Sequence, residues 1–433
     1  MKNIEVWLFL VIAFFLGTWG ALFNVVQTVL IAVGLVWNVI KYRDEFVRNF
    51  KSARFYVLVP VFYLLYLAVQ TLILTSSGKY VGFKPGYGIF EPEFFFFLLG
   101  VLYVLSAKPF VTLQLLKKFL LVFGLSVFSF NLFFLFYLGG TGLFTDTVQT
   151  IEHLYQSRFG FTKSLWGGKV YLDAQALQIY ASALIAYFFG LVQTRRIEKG
   201  VAFVLFIILV WFLSLTVTKS SILSFLCGFV VLNLYFFRRF SLKYRWRLFA
   251  FLSVMLVGAF VFRPSSFDER WQQMQREIED VREERLASGS SIVPRFVFYK
   301  ACFEHFDEYA LGGLGVYTNS VSKQWYLNSG NVVVAGLTHS HNSYLQYWML
   351  GGIAGLCYIL SWFIRPFARM VRKRQYAFLP LSVMLAFFID ANFEVLLIVS
   401  DAVPVVLFFL AMFYLYGDQF YALEDSPFKE QSA

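Results

Sequence analysis

The sequence has little charge and few cysteines. Only 15% of its 433 residues are charged and 59% are hydrophobic, with 55 Phe and 25 Tyr, whereas a soluble protein carries about 25% charged residues. This composition excludes an ordinary water-soluble enzyme and a disordered chain, and it favours a polytopic membrane protein whose apolar side chains face lipid as well as core. The positions of Cys227, Cys302 and Cys357 offer no natural disulfide pair, which excludes a disulfide scaffold.

The signature motifs of many soluble enzymes are also missing. The chain contains no GxxxxGK[ST] phosphate loop, no HExxH, no CxxC and no GxSxG, so a pump driven by a Walker motif is not predicted. No Asp-x-Asp pair occurs in a predicted outer loop, which argues against sugar transfer that holds a diphosphate through a divalent ion. The net charge of +11 comes from short basic clusters between apolar runs, so no nucleic-acid partner is expected.

Twelve apolar runs approach the 17–25 residues or so that a membrane-spanning helix needs. They lie near 5–20, 21–40, 55–74, 91–107, 119–138, 173–192, 201–217, 221–237, 248–262, 342–364, 376–398 and 402–416. The predicted inner loops are basic and no outer loop is comparably so, which is the positive-inside bias. We therefore predict an all-α polytopic membrane protein of about twelve transmembrane helices, with an uncleaved first span and both termini in the cytoplasm.

Two predicted outer loops are long, and long loops often carry function. The larger one opens with a capping-box pattern from Ser266 to Glu269. Apolar residues then recur at helical spacing, at Phe267, Trp271, Met274, Ile278 and Val281. We predict a charged helix that packs on the membrane domain as a lid, because five positions are too few for a coiled-coil seam. The predicted parts are membrane helices 1–5 in 1–138, an outer loop at 139–172, helices 6–9 in 173–262, the large helical outer loop at 263–340, helices 10–12 in 341–416, and a cytoplasmic tail at 417–433.

Three residues at the outer ends of predicted spans are candidates for chemistry. His341, close to His339, lies where the large loop meets the tenth span. An imidazole there can act as a general base, or it can simply cap the helix end. Arg295 and Lys219 lie on the same side, where each is either functional or a snorkelling cation. Together they match transfer from a lipid diphosphate, since cations stabilise the leaving diphosphate while a base accepts the acceptor's proton. No third ligand cluster accompanies the histidines, so no metal site is predicted.

Two acidic residues, Asp390 and Glu394, lie four positions apart on one face of the eleventh predicted span. Carboxylates inside a membrane are functional by default. A polar pair near the outer end of a span, with Asn392 close by, can equally be solvated. The sequence leaves both interpretations open.

Three segments, in this order, resemble motifs of the O-antigen ligase and polymerase superfamily of bacterial envelopes. Thr216-Val217-Thr218-Lys219-Ser220 resembles its T-x-S-[RK]-[SG] element, and residues 295–315 resemble its Arg-aromatic segment leading to a Gly-x-Gly turn. The segment His341-Asn342-Ser343-Tyr344-Leu345, with Gly352, Gly355 and Leu356, is similar to the pattern H-N-x-Y-L-x4-E-x-G-x-x-G-L. The resemblance covers roughly residues 170–415, and the first five spans match only as a membrane pattern.

The resemblance implies a GT-C-type glycosyltransferase of the bacterial inner membrane, with its site at the periplasmic face. Such enzymes take a glycan from undecaprenyl diphosphate. Ligases pass the glycan to a lipid A core sugar, and polymerases pass it to another lipid-linked repeat unit. By position, His341 would be the base or acceptor-positioning residue and Arg295 and Lys219 would hold the diphosphate, with Asn342, Tyr344 and His339 in support. No cofactor or metal is implied.

The chain departs from the family pattern at two positions. Leu350 stands where the family usually has Glu, so the role of that carboxylate is lost or has moved, with Asp390 and Glu394 as candidates. Lys219 stands where Arg is common, which keeps the charge but not the bidentate geometry. The leading hypothesis is a metal-independent, inverting ligase, and the alternative is a polymerase. A lipid-linked-glycan flippase or other transporter is third, because the polar residues gather at one face rather than at the midplane of paired halves.

Overall fold

The computed structural model describes residues 4–17, 24–85, 92–139, 172–193, 195–216, 218–239, 246, 265–283, 292–329, 340–393 and 402–432. Regular structure within these ranges is helical throughout, which confirms the all-α prediction. The helices are α1 (Ile4–Leu16), α2 (Asn24–Lys41), α3 (Arg43–Ser76), α4 (Pro92–Ala107), α5 (Leu113–Gly139), α6 (Leu172–Val192), α7 (Arg196–Thr216), α8 (Lys219–Arg239), α9 (Ser265–Arg282), α10 (Ile292–Glu304), α11 (Phe306–Tyr309), α12 (Thr318–Asn328), α13 (Ser343–Lys373), α14 (Phe378–Asp390), α15 (Val403–Leu415) and α16 (Gly417–Ser432). A 3₁₀ turn at Gly315–Tyr317 precedes α12.

Six of the described helices are long and apolar enough to cross a membrane, namely α3, α5, α6, α7, α8 and α13. Helices α15 and α16 pass the same test together but are bent by 77°, which makes up to seven. Helices α1 and α14, and apolar parts of α2 and α4, are shorter. The predicted ninth span, 248–262, lies outside the described residues. A multi-pass membrane protein is therefore supported, and the total of twelve spans stays a prediction.

Helix α6 lies at the centre of the helix bundle. Its apolar window is completely buried, whereas only 28% of the corresponding window of α3 is buried. Small residues such as Ala174, Ala181 and Ala183 are fully buried along α6 and let neighbouring helices approach closely. Aromatic rings fill the remaining space, as where Phe119 and Phe408 stack with centroids 5.6 Å apart. Buried phenylalanine rings are thus a main component of the core.

Helix α13 is interrupted at Gly352, whose φ of 60° and ψ of −149° are not helical. The chain between α11 and the 3₁₀ turn docks into this break. The N–H of Leu314 donates to the carbonyl of Met349 at 2.7 Å, and the N–H of Ile353 donates to the carbonyl of Leu311 at 3.3 Å. Backbone groups that a continuous helix would pair internally are thus paired with the neighbouring loop.

Close backbone contact at this break requires glycine on both sides. A side chain on Gly313 or on Gly352 would overlap the backbone of the opposite segment, and both residues have positive φ. Gln70 of α3 completes the joint, because its amide donates to the carbonyls of Gly312 and Leu350. Leu350, which stands where the family pattern has Glu, therefore contributes its backbone carbonyl to this joint.

The C-terminal segment, predicted as a tail, is the helix α16 docked against α13 and α14. Asp418 pairs with Lys373 at the end of α13, with Nζ and Oδ2 2.5 Å apart. The buried carboxylate of Glu424 accepts hydrogen bonds from the backbone N–H groups of Phe378 and Leu379, at 2.8 and 2.7 Å. Glu424 thereby satisfies donors at the N-terminus of α14 that have no partner within the helix.

Candidate active site

The turn before α13 holds His341 in a left-handed conformation, with φ of 49°. The hydroxyl of Ser340, which is fully buried, donates to the carbonyl of Asn342 at 3.1 Å. Asn342 caps the helix, since its side-chain oxygen accepts a hydrogen bond from the N–H of Leu345 at 3.0 Å. The helix-capping role considered for His341 is therefore filled by Asn342. His339 lies outside the described residues.

The imidazole of His341 packs against an aromatic wall. Its ring stacks on Phe298 of α10, with centroids 5.8 Å apart and an angle of 28° between the planes. Phe298 is fully buried and meets Tyr326 of α12 edge-on, at 4.5 Å between centroids. Burial raises the pKa of Tyr326, so this phenol stays neutral. One face of the half-buried imidazole is thus fixed against an uncharged surface.

Helix α10 also carries Arg295 into this region. Arg295 is half-buried and precedes Phe298 and Tyr299 by three and four residues, so the three share one helical face. The hydroxyl of Tyr299 donates to the carbonyl of Asn392, just after α14, at 3.3 Å. The face of α10 that bears Arg295 therefore contacts both the His341 turn and the end of α14.

Two hydrogen bonds hold the start of α13 to the end of α14. The backbone N–H of Ser343 donates to the carbonyl of Ala391 at 2.8 Å. The hydroxyl of Tyr344 donates to the carbonyl of Phe388 at 3.0 Å. Tyr344, assigned a supporting role by its position in the motif, thus positions the His341 turn relative to α14.

Asp390 is the last residue of α14 and has no exposed surface. Its Oδ2 accepts a hydrogen bond from the hydroxyl of Ser221 on α8 at 3.3 Å. The interpretation of Asp390 as a solvated residue is therefore wrong. Ser221 follows Lys219 by two residues, so this bond joins the segment that carries Lys219 to α14. Glu394 lies outside the described residues.

Lys219 begins α8 and pairs with α9, the helix predicted to be a lid. Its Nζ lies 4.0 Å from Oε2 of Glu277, whose side chain is only 2% exposed. Helix α9 forms as the capping-box pattern predicts, but Ile278, a member of the predicted apolar stripe, is 52% exposed. The residue of α9 that points inward here is therefore Glu277, whose buried charge is compensated by Lys219. The side chains of the other four stripe residues lie outside the described ones.

These contacts bring the three predicted motif segments together around the end of α14. Asp390 connects to the Lys219 segment, Tyr299 connects α10 to Asn392, and Ser343 connects the His341 turn to Ala391. Two cations, a buried carboxylate and an imidazole thus belong to one connected region. Among the residues that the structure describes, no group of three or more His, Cys, Asp or Glu side chains could hold a metal ion, and the metal-free mechanism stays a prediction.

Sequence reasoning missed three residues of this region. Glu277 is one of many charged residues of α9, and Ser221 comes directly after the motif that contains Lys219. The side chain of Gln346 accepts a hydrogen bond from the Ser340 hydroxyl at 3.4 Å and donates one to Asn319 of α12 at 3.1 Å. These two bonds link the His341 turn to α12. A signal was available for Gln346, since a polar residue at an inward position of an apolar span usually has a partner.

Residues 202–360 match the family model described as O-antigen ligase. This confirms the resemblance to that superfamily, over a shorter range than the motif order had indicated. Lys219, Arg295 and His341 all fall within the match. No curated protein sequence matches the chain significantly.

Proposed function

We propose that the protein is a glycosyltransferase of the bacterial inner membrane that transfers a glycan from undecaprenyl diphosphate to a lipid A core sugar, because residues 202–360 match the family model described as O-antigen ligase. Transfer is direct, inverting and metal-independent, and takes place at the periplasmic face with both termini in the cytoplasm. The main support is that the segments bearing Lys219, Arg295 and His341 meet at the end of α14.

The reaction needs three contributions from the site. The acceptor hydroxyl attacks the anomeric carbon, and the bond from that carbon to the diphosphate oxygen breaks with its electron pair leaving on the diphosphate. Arg295 and Lys219 stabilise this developing negative charge. His341 accepts the proton of the attacking hydroxyl, or orients that hydroxyl, from a turn that Asn342 and Tyr344 hold against α14.

The second candidate is a polymerase, in which the acceptor is another lipid-linked repeat unit. It uses the same motif residues, and the family match fits both reactions. The third candidate, a flippase or other transporter of lipid-linked glycans, is disfavoured because the contacts that join the segments of Lys219, Arg295 and His341 lie together at the end of α14. A transporter would more commonly place its polar site near the midplane between paired halves.

Deletion of the gene in its host tests the proposal, with surface polysaccharide and the lipid-linked pool analysed side by side. A ligase predicts that long glycan disappears from the lipid A core while full-length polymer accumulates on its carrier. A core that carries a single repeat unit would instead identify a polymerase. No change in either pool would contradict both and favour the transporter. Complementation with the wild-type gene is the control.

The metal-free mechanism has a separate test in the purified, reconstituted protein. We expect a chelator to leave transfer unchanged. Inhibition that one specific divalent ion reverses would contradict this part of the proposal while leaving the transfer reaction intact.

A further inference from the structure

A groove runs along the outside of the bundle between α3 and the part of α13 that follows its break at Gly352. It encloses about 500 Å³ and is open along one side. Tyr63 of α3 and Tyr358 of α13 stack at its floor, with centroids 4.1 Å apart and planes at 10°. Phe62, on the rim, is 62% exposed. Because α3 is among the least buried candidate spans, this groove faces the lipid.

Among the lining residues that the structure describes, the single cation, Arg365, lies at one end of the groove. Its α13 wall runs through Ala354, Tyr358, Ser361 and Arg365, spacings of four, three and four that keep these residues on one helical face. Arg365 lies at the end of α13 that also carries Arg369 and Lys373, which the positive-inside bias assigns to the cytoplasm. The opposite end, near Ala354, adjoins the joint at Gly352.

The length of the groove matches one leaflet of the bilayer. Eleven residues separate Ala354 from Arg365, which is about 16 Å of helix. Half of a hydrocarbon core of about 30 Å is about 15 Å. A chain that starts at Arg365 and lies over the tyrosine floor would therefore end near the middle of the membrane, at the broken helix.

We propose that this groove binds an anionic phospholipid of the cytoplasmic leaflet, with its phosphate at Arg365 and one acyl chain along Tyr358 and Tyr63. An arginine at the headgroup level attracts an anionic headgroup through charge and through paired hydrogen bonds to phosphate oxygens. The exposed aromatic rim supplies apolar area for the chain. This site lies on the opposite side of the Gly352 break from the His341 turn, and it is distinct from the proposed glycan-transfer site.

Cys357, which lines the groove and is exposed, provides a built-in reporter. The full-length protein in a neutral detergent is titrated with phosphatidylglycerol or with phosphatidylcholine of the same acyl chains. The rate of maleimide modification of Cys357 is then followed by mass spectrometry of its peptide. Burial raises the pKa of the Cys302 thiol to about 12, which keeps that cysteine unreactive. Modification of Cys227 is counted separately, because Cys227 and Cys357 lie in different peptides.

We expect phosphatidylglycerol to slow modification about fivefold more than phosphatidylcholine, as one basic residue at the membrane surface would produce. Arg365→Ala should remove this difference and Arg365→Lys should retain most of it. Arg372→Ala, at an exposed position further along the same helix, should leave it unchanged and serves as the matched control for folding and bulk charge.

Three outcomes would overturn the proposal. Equal protection by the two phospholipids would show an unspecific lipid contact. If phosphatidylglycerol still protects Cys357 better than phosphatidylcholine in Arg365→Ala, Arg365 does not bind the headgroup. Protection of Cys357 by a polyprenyl phosphate, equal in the parent and in Arg365→Ala, with none from phosphatidylglycerol, would assign the groove to a polyprenyl tail. Glycan transfer is not part of the readout, so these results do not depend on the proposed reaction.

Discussion

The hydroxyl of Ser221 lies 3.3 Å from the carboxylate of Asp390, although 169 positions separate the two residues in the chain. Both are fully buried, so the bond links the start of α8 to the end of α14 within the bundle. Lys219 lies two residues from one partner, and the bond between Ser343 and Ala391 lies one residue from the other. Through these two contacts, the segments that carry the proposed cation and the proposed base both meet the end of α14, one at the Asp390 carboxylate and the other at the backbone of the next residue.

If Asp390 replaces the carboxylate missing at Leu350, then Asp390→Asn should lower transfer by about tenfold or more, because hydrogen bonds to a charged group are worth about 1.5–3 kcal/mol. Ser221→Ala should lower it only about fivefold, since it removes one hydrogen bond worth about 1 kcal/mol. The kcat of the purified variants measures both effects. Ser214→Ala, whose hydroxyl bonds to its own helix at Trp211, is the control. Full activity of Asp390→Asn would make this residue structural.

Replacement of His341 must respect its left-handed backbone. His341→Asn and His341→Gly both tolerate positive φ, and both remove the imidazole. We expect each to lose about 10²- to 10⁴-fold in transfer while membrane insertion and thermal stability stay near those of the parent. His305→Asn is the matched control, because His305 pairs with Glu308 at the surface. Transfer at more than a tenth of the parent rate in both variants would exclude His341 as the base.

Arg295 is proposed to grip the diphosphate through a two-pronged contact. Arg295→Lys keeps the charge and replaces the fork with a point charge, so we expect most of the activity to be lost. Steady-state kinetics with varied lipid-linked donor measure this effect. Arg282→Lys at an exposed position on α9 should change nothing. Equal kinetics for Arg295→Lys and the parent would mean that Arg295 packs the helix rather than binds substrate.

Glu277 and the donor diphosphate are expected to compete for Lys219. Glu277→Gln removes the charge but keeps the shape, so the KM for the donor should fall about two- to fivefold, as expected for an ion pair worth up to about 1 kcal/mol. Glu279 follows Glu277 by two residues, so it lies on the opposite face of α9, and it is exposed. Glu279→Gln should therefore leave the KM unchanged. A higher KM in Glu277→Gln would show instead that the carboxylate holds Lys219 in its working position.

The joint at the break of α13 should be intolerant of side chains at one glycine and tolerant at its neighbour. In Gly313→Ala the left-handed backbone costs about 1–2 kcal/mol, and the methyl group also meets the backbone of Gly352. A fall of about 2 °C or more in melting temperature is expected, since 1 kcal/mol shifts the midpoint of a chain of this size by about 1 °C. Gly312 has open space around it, so Gly312→Ala should melt like the parent. Equal melting of the two variants would contradict the need for close approach.

The membrane character and the helical class followed from composition, because the length of an apolar run is itself the physical requirement for a span. The helix at 265–282 was predicted from the start signal and the helical spacing in the sequence, and its role as a lid stays a prediction. The sequence did not predict which face of that helix points inward, because Ile278 of the apolar stripe is exposed and Glu277 is buried. In a membrane protein, apolar side chains need not point inward, since lipid accepts them as readily as a core does.

The candidate site could be predicted from the sequence only in part. Motif order predicted that Lys219, Arg295 and His341 belong together, and the structure adds the contacts of their neighbours with α14. The partners Ser221 and Asp390 could not be paired from spacing, because long-range contacts leave no local pattern. Which residue caps α13 depended on the φ and ψ angles of two adjacent residues, and only the structure distinguishes Asn342 from His341.

The cap that Glu424 places on α14 has a consequence for biosynthesis. Glu424 lies 46 residues after Phe378, from whose N–H it accepts a hydrogen bond, so α14 is synthesised before its cap exists. During that interval the N–H groups that start the helix lack this acceptor. The helix that ends in Asp390 can reach its final hydrogen bonding only after residue 424 has been made and α16 has docked, so the contacts of α14 form after those of the helices that precede it.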